Sequence, residues 1–192
     1  MNVFNRLYEF LKSGLHPKKG VKIHPTAIVY ENVILEDGVE IGAYSVIGAP
    51  AEVKDQSNRD SLGKVYIGEN TIIREHVTIH SSRHKSGVTY IGYDCYIQAH
   101  AHIGHDCNIK NNSIVACFAC LGGHTELEEH TNVALHAVTH PRTVIRKGTI
   151  LGANSFAKGV LDKWSVYVGN PAKRIKPNNR LREKLHLVKL DE

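Results

Sequence analysis

Histidine is the residue type whose number and spacing in this chain could support chemistry. The chain has 13 histidines in 192 residues, and His100, His102 and His105 form a dense group that ends at Asp106. An imidazole can remove a proton near neutral pH, and a carboxylate can fix the tautomer that leaves one ring nitrogen free for that task. Because His105 and Asp106 are neighbours in sequence, their side chains need not touch, and a backbone carbonyl or a residue from an adjacent element could orient the ring instead. We therefore predict a general base within this group.

A period of six residues determines which side chains can reach such a site. From Ile91 onward an aliphatic or small residue recurs at every sixth position, and a second set of small residues lies two positions before each of these. The first set is Ile91, Ile97, Ile103, Ile109, Val115, Leu121, Leu127, Val133, Thr139, Ile145, Leu151 and Ala157. Neither a helix nor an alternating strand repeats with this period, whereas a short strand and turn stacked on copies of itself does. The chain is therefore predicted to be an all-β, parallel β-helix of about seven coils, in which three hexads close a coil and residues eighteen apart stack.

The same period separates core residues from those that face outward. The aliphatic positions point inward and stack into a continuous core. His102, His105 and His140 then point outward along one seam, and His124 stacks one coil beyond Asp106.

The chain is predicted to be one β-helix domain with short additions at both ends. Residues 1–20 carry apolar residues at helical spacing and form an N-terminal capping helix, 21–175 form the β-helix, and 176–192 form a short helical tail. The segments 49–64 and 81–87 break the period, so they are predicted to leave the column as loops that determine substrate specificity.

Composition limits the classes of partner. The formal net charge is +5, but the Lys and Arg residues are scattered, so an anionic small molecule fits better than nucleic acid. Cys117 and Cys120 have metal or redox spacing without a second pair, and Cys95 and Cys107 occupy small positions of the repeat as buried spacers. Neither a signal peptide nor an apolar run of membrane-spanning length is found, which predicts a cytoplasmic protein with reduced thiols.

Zinc binding is the alternative use of these histidines. Two or three imidazoles on one edge could hold the metal, and the spacing of His100 and His105 resembles part of the pattern of the γ-class carbonic anhydrases. That family also places a glycine-rich hexad between its ligands and a third histidine on a neighbouring turn. The sequence does not supply a convincing set, and we predict no metal site.

Three segments resemble the family of UDP-N-acetylglucosamine O-acyltransferases that begin lipid A synthesis. They are 67–80 (IGENTIIREHVTIH), 101–107 (AHIGHDC) and 121–124 (LGGH), and the resemblance extends over about residues 23–157. It implies the left-handed form of the β-helix. It also implies a homotrimer with active sites in the clefts between adjacent columns.

The resemblance further implies roles for individual residues. His105 corresponds to the general base of that family and Asp106 to the acid that accompanies it. The predicted substrate-binding residues are His102, His124, His140 and Glu52. The loop that contains Glu52 departs from the family, because 49–55 reads APAEVKD where the family has a Gln-Asp-Leu-Lys-like motif. The acceptor sugar can therefore differ.

The end of the chain departs from that family as well. The family has a substantial C-terminal helical domain, whereas 167–174 (YVGNPAKR) resembles the short hexapeptide acetyltransferases that use acetyl-CoA. The predicted CoA-binding residues are Gly122, Gly123, Gly152, Lys158, Lys173 and Arg174. The cations would bind phosphate, and the backbone N–H of Gly122 or Gly123 would stabilise an oxyanion.

The function predicted from the sequence is acyl transfer from acetyl-CoA or another acyl-CoA to a hydroxyl or amino group of a nucleotide-linked sugar, in envelope polysaccharide synthesis. One alternative keeps this enzyme class but uses acyl carrier protein as donor and UDP-N-acetylglucosamine as acceptor. The others are a zinc lyase of the carbonic anhydrase type and an inactive β-helix that serves as a scaffold. No bound cofactor is predicted.

Overall fold

The computed structural model describes residues 19–54 and 63–185, which form a column of three sheets with a short helix near the C-terminal end. The predicted N-terminal capping helix, 1–20, lies almost entirely outside the described residues, as do part of the segment 49–64 and the last residues of the tail. Within the described ranges, no helix has the length and apolar character needed to cross a membrane.

From β1 to β21, each coil passes through sheet 1, sheet 2 and sheet 3 in that order. Sheet 1 contains β1 (Lys22–Ile23), β4 (Glu40–Ile41), β7 (Ile72–Ile73), β10 (Tyr96–Ile97), β13 (Ile114–Val115), β16 (Asn132–Val133), β19 (Ile150–Leu151), β22 (Ser165–Val168) and β23 (Lys173–Pro177). Sheet 2 contains β2 (Ile28–Val29), β5 (Val46–Ala49), β8 (Thr78–His80), β11 (His102–Ile103), β14 (Cys120–Leu121), β17 (Val138–Thr139) and β20 (Phe156–Ala157). Sheet 3 contains β3 (Val33–Leu35), β6 (Lys64–Ile67), β9 (Val88–Ile91), β12 (Asn108–Ile109), β15 (Glu126–Leu127), β18 (Val144–Ile145) and β21 (Val160–Leu161). The helix α1 spans Asn179–Lys184.

Parallel pairing stacks equivalent residues of successive coils. Tyr96 of β10 pairs with Ile114 of β13, eighteen residues later, so the structure confirms the parallel β-helix and its predicted stacking. The strand β23 was not predicted, because its sequence KRIKP carries neither the hexad nor an alternating pattern. It folds back antiparallel on β22 and thereby covers the open edge that β22 would otherwise present.

The core consists of the residues that the period placed inward. Both predicted sets are buried along the column, from Thr89 and Ile91 to Ala157. Small hydroxyl residues suit the second set because they satisfy backbone carbonyls at the corners, as Thr125 Oγ1 does for the carbonyl of Gly122 at 2.7 Å. Cys107 belongs to the same set, and burial raises the pKa of its thiol to about 12, which keeps it protonated and unreactive.

The turns between strands form three edges, which we name by the sheets they join. The 2–3 edge includes the turn 104–107, and its third residue, Asp106, adopts a left-handed backbone conformation with φ of 59°. Both interruptions of the period leave from this same edge: 50–63 connects β5 to β6, and 81–87 connects β8 to β9. The two predicted specificity loops therefore lie on the edge of the predicted base, in the two coils that precede it.

Candidate active site

The turn 104–107 places His105 and Asp106 together on the 2–3 edge. The left-handed conformation of Asp106 is one that short polar residues tolerate, and its backbone N–H donates to Thr89 Oγ1 at 2.8 Å. In this turn His105 Nδ1 lies 2.8 Å from Asp106 Oδ2. The sequence left open what orients the imidazole, and the structure shows direct contact between the two neighbours.

The loop 81–87 holds the Asp106 carboxylate from the other side. The Ser82 hydroxyl donates to Oδ1, and the Arg83 N–H donates to Oδ2 at 3.1 Å. Burial alone would raise the pKa of Asp106, but hydrogen bonds from Ser82, from His105 and from the loop backbone outweigh it and hold the pKa below its usual value. Asp106 is therefore ionised at neutral pH and accepts a hydrogen bond from His105 Nδ1–H.

Because Nδ1 donates to Asp106, the neutral His105 ring carries its lone pair on Nε2. A Cβ added to Gly123 would lie 2.7 Å from that Nε2 atom, so the ring packs directly against the glycine backbone of the next coil. The Gly123 N–H donates to no acceptor among the described residues, whereas the Gly122 N–H donates to the carbonyl of Thr139 at 3.2 Å. Of the two glycines predicted to supply an oxyanion-binding N–H, only Gly123 has one available.

His124 lies one coil beyond Asp106, where the repeat predicts it. Its Nε2 is 3.7 Å from Asp106 Oδ2, and its ring packs edge-on against that of His105 with 5.1 Å between centroids. Burial lowers the pKa of His124; the Asp106 charge opposes this shift and the Arg142 charge reinforces it. His124 is therefore neutral at neutral pH and can donate or accept a hydrogen bond from a bound molecule.

A second cluster of side chains connects Glu52, in the excursion 50–63, with His80 and His102 of sheet 2. The Glu52 carboxylate places Oε1 3.4 Å from His80 Nε2 and Oε2 3.4 Å from His102 Nε2. The other ring nitrogens are also engaged: His80 Nδ1 is 2.6 Å from the Pro50 carbonyl oxygen, and His102 Nδ1 is 2.9 Å from Thr78 Oγ1. Burial lowers the pKa of His102, although the Glu52 charge opposes the shift. Glu52 and His102, predicted as substrate-binding residues, thus lie in one cluster.

Sequence reasoning missed two residues of these groups, His80 and Ser82. They lie at the start of the segment 81–87 or directly before it. The break in the period at 81–87 was the available signal. This segment leaves the column on the 2–3 edge one coil before His105, so its first residues lie beside the turn that holds His105.

Two further histidines singled out in the sequence, His100 of the dense group and His140 of the predicted seam, lie apart from His105. His100 is on the 1–2 edge, where its ring stacks between those of His76 and Phe118 with centroid distances of 4.7 and 4.6 Å. It occupies the turn that precedes β11, which is one edge earlier than the turn of His105. His140 is on the 2–3 edge two coils further along, is exposed, and has no contact with His105 within the described part of the chain.

The residues predicted to bind CoA do not form one site within a chain. Gly122, Gly123 and Lys158 lie on the 2–3 edge, Gly152 lies on the 1–2 edge, and Lys173 and Arg174 lie in β23 of sheet 1. A Cβ added to Gly152 would lie 2.7 Å from Val168 Cγ1, so close packing explains this glycine. Arg174 Nε donates to Ser165 Oγ at 2.8 Å. Each coil has three edges. The resemblance of the segment 167–174 to acetyltransferases did not predict on which edge each of these residues would lie.

Known proteins similar to this chain are acyltransferases by name. The family described as Bacterial transferase hexapeptide (six repeats) matches residues 18–49. An acyl-[acyl-carrier-protein]–UDP-N-acetylglucosamine O-acyltransferase of Syntrophobacter fumaroxidans is 35% identical over an alignment that covers 54% of each chain. The protein of the same name from Campylobacter concisus is 32% identical over 80% of this chain and 59% of its own length. This chain thus spans a little over half the length of these curated relatives.

Solved structures share the fold over most of this chain. The UDP-N-acetylglucosamine acyltransferase of Bacteroides fragilis superposes with a TM-score of 0.80 at 21% identity, over 86% of this chain and 65% of that one. The enzyme of Campylobacter jejuni superposes with a TM-score of 0.67 at 27% identity, over 85% of this chain and 77% of that one. The likeness confirms the left-handed β-helix that the sequence segments implied.

Proposed function

We propose that this chain, which belongs to the hexapeptide-repeat proteins of the left-handed β-helix fold, transfers an acyl group to a hydroxyl of a UDP-linked N-acetylated amino sugar. The observation that carries the proposal is the contact of His105 with Asp106, with Nε2 of the ring packed against the backbone of Gly123. A base and a backbone N–H without an acceptor among the described residues then lie in neighbouring coils of the 2–3 edge, and acyl transfer requires both kinds of group. The names of the relatives support the UDP-sugar acceptor and transfer to oxygen.

The donor in this proposal is acyl carrier protein, the alternative weighed from the sequence, in place of acyl-CoA. The curated relatives are named for acyl-[acyl-carrier-protein]. Both donors present a thioester, so the chemistry at His105 is the same for either.

In the proposed reaction, His105 Nε2 removes the proton of the acceptor hydroxyl while its oxygen attacks the thioester carbon. The Asp106 carboxylate, 2.8 Å from Nδ1, stabilises the imidazolium that forms. The Gly123 N–H donates to the oxyanion of the tetrahedral intermediate. The C–S bond then breaks as the carbonyl re-forms, and the proton on Nε2 passes to the leaving thiolate.

The remaining residues of the 2–3 edge fit recognition of the nucleotide sugar. Glu52, in the excursion 50–63, lies beside His102 of β11, and we place the sugar at this pair. Further along the same edge, Arg142 and Lys158 supply positive charge for the diphosphate. His140, exposed in the same turn as Arg142, is assigned to the same substrate.

The proposal includes the homotrimer that the resemblance implies. The 1–2 edge carries a row of exposed apolar side chains, with Tyr44 at 60%, Phe118 at 50% and Leu135 at 50% exposure. In this row the rings of His76 and His100 stack between those of Tyr44 and Phe118. Exposed aromatic and apolar surface of this kind is covered by association in many proteins. Light scattering on the eluting full chain measures the mass directly, and a monomer at all concentrations would refute this part of the proposal.

The acyl transfer is tested with purified full chain, UDP-N-acetylglucosamine and acyl carrier protein loaded with a defined acyl group, and with mass spectrometry of the nucleotide sugar. We expect acylated product from the wild type and a fall of about 10²–10⁴ in kcat for His105→Ala, the usual worth of a general base. His24→Ala, which removes an exposed imidazole in the first coil, is the matched control and keeps the wild-type rate. Equal rates for the two variants would refute the role of His105. Product formed with acyl-CoA but not with acyl carrier protein would show that acyl-CoA is the donor.

A further inference from the structure

Positive charge is concentrated at one end of the β-helix column. Residues 160–185 contain seven Lys and Arg residues against two acidic residues, which leaves 17 basic and 17 acidic residues in the rest of the chain. The formal net charge of +5 therefore comes entirely from this segment. It includes β21, β22, β23 and α1, and β21 and β23 are the last strands of sheets 3 and 1. Its exposed cations, which we call the basic end, are Lys163, Lys173, Arg174, Lys176, Arg180 and Lys184.

Carboxylates do little to neutralise the basic end. Among the residues that the structure describes, none of its cations lies within 4.0 Å of a carboxylate oxygen. Asp162, one of the two acidic residues of the segment, accepts instead from the Tyr167 hydroxyl at 3.2 Å. In the first two coils, by contrast, Lys22 Nζ lies 2.6 Å from Glu40 Oε1. The charge at the C-terminal end of the column is thus available to an anionic partner.

Hydrogen bonds hold β23 and α1 in place against the column. Asn178, which lies between them, is buried; its N–H donates to the Trp164 carbonyl at 2.7 Å and its Nδ2 donates to the Gly148 carbonyl at 2.8 Å. On the strand itself, Arg174 Nε donates to Ser165 Oγ at 2.8 Å. Because the backbone is already ordered, a partner does not have to order this segment when it binds.

An exposed isoleucine lies among these cations. Arg174 and Lys176 pair with consecutive residues of β22, so Ile175 between them is the extra residue of a β-bulge. The Ile175 side chain is 56% exposed. A lipid surface offers phosphate to the cations and an apolar layer to the isoleucine. The backbone of nucleic acid also binds cations through phosphate, but it offers no apolar layer.

We propose that the basic end binds the surface of a membrane that contains anionic phospholipids. The cations of β23 and α1 face the lipid phosphates, and Ile175 enters the boundary between head groups and acyl chains. Clusters of about four to eight Lys and Arg residues bind such surfaces by electrostatic attraction, and the basic end has six. The attraction is screened by salt over a Debye length of about 8–10 Å, so the binding is peripheral and reversible.

Association of the chain multiplies this contact. In the homotrimer proposed above, the columns lie side by side around a three-fold axis, so all three basic ends face the same way. Linked contacts of this kind raise the overall affinity well above that of one chain. This increase rests on the proposed homotrimer, whereas the charge of the basic end belongs to a single chain.

The test is sedimentation of the full chain with vesicles of phosphatidylcholine alone, and of phosphatidylcholine and phosphatidylglycerol in equal amounts. We expect binding to the anionic vesicles only, and its loss at high salt. Each Lys or Arg near such a surface contributes roughly fivefold in affinity, so the triple variant Lys173→Gln, Lys176→Gln, Arg180→Gln should bind about 10²-fold more weakly. Ile175→Ser should bind about tenfold more weakly and keep the salt dependence.

The matched control removes the same number of charges from the first two coils. It carries Lys19→Gln, Lys22→Gln and Lys64→Gln, all at exposed positions, and we expect it to bind as the wild type does. Equal binding to neutral and anionic vesicles, or equal losses in the triple variant and the control, would overturn the proposal. Circular dichroism of each variant establishes that the β-helix is folded.

An acidic protein is the other class of partner, and titration of the same variants with acyl carrier protein measures it. A triple variant that loses affinity for acyl carrier protein, with a wild type that does not bind anionic vesicles, would make the basic end a protein-docking surface and the membrane proposal wrong. Vesicle binding requires neither substrate nor turnover. Its failure would therefore leave the proposed acyl transfer unaffected.

Discussion

His105 Nδ1 lies 2.8 Å from Oδ2 of Asp106, the next residue in the chain. Side chains of consecutive residues seldom meet in extended backbone, and here they meet because Asp106 adopts a left-handed conformation at the turn. The Ser82 hydroxyl holds the other oxygen of the same carboxylate from the preceding coil. A line of hydrogen bonds thus runs from the loop 81–87 through Asp106 to the imidazole, and each member can be tested by itself.

Replacement of Asp106 by Asn removes the negative charge that stabilises the imidazolium and keeps the shape of the side chain. A hydrogen bond to a charged group is worth about 1.5–3 kcal/mol, so we expect kcat to fall by roughly 10–10². This is smaller than the loss expected for His105→Ala, because the base itself remains. Asp94→Asn, at the equivalent left-handed turn position of the 3–1 edge, is the control and keeps the rate. A kcat for Asp106→Asn equal to that control would show that the carboxylate does not assist the base.

Ser82 is predicted to position Asp106 without touching the substrate. Its side chain is 2% exposed and its hydroxyl donates to Oδ1. In Ser82→Ala we expect kcat to fall by up to about tenfold with little change in KM, because the weakened contact matters when charge develops on the imidazole. Ser86→Ala, an exposed residue of the same loop, provides the comparison. A drop in Tm with unchanged kcat would assign Ser82 a purely structural role.

The period of six specified the column, its core and the outward histidines, because inward positions of a β-helix repeat without exception from Ile91 to Ala157. It also placed His124 above Asp106. It could not specify the contacts of Glu52 and Ser82, since these residues lie in segments where the period is absent and tertiary packing alone positions them. The period does separate His100 from His105, because consecutive turns of one coil occupy different edges and these two residues lie in the turns before and after β11.

The burial of His124 predicts a pH dependence of stability. Its pKa is lowered in the folded protein, so as the pH falls the unfolded chain takes up a proton before the folded chain does. Stability that is complete above the usual histidine pKa of about 6.5 is therefore lost as the pH falls towards the folded value. We expect the Tm of the wild type to decline more steeply between about pH 7 and pH 5 than the Tm of His124→Asn. Parallel curves for the wild type and His124→Asn would refute the assignment.

Gly122 and Gly123 are neighbours whose replacement by Ala should have opposite consequences. A Cβ at Gly123 would lie 2.7 Å from His105 Nε2, the end of a side chain that can move aside, so the fold tolerates it while the base loses its position. A Cβ at Gly122 would lie 2.7 Å from the backbone nitrogen of Pro141, which cannot move without shifting the next coil. We therefore expect Gly123→Ala to lower kcat by about 10²-fold or more with little change in Tm, and Gly122→Ala to lower Tm by several degrees. Thermal unfolding and kcat are measured on both variants. A Gly123→Ala enzyme with the wild-type kcat would show that catalysis does not require His105 Nε2 to lie against Gly123.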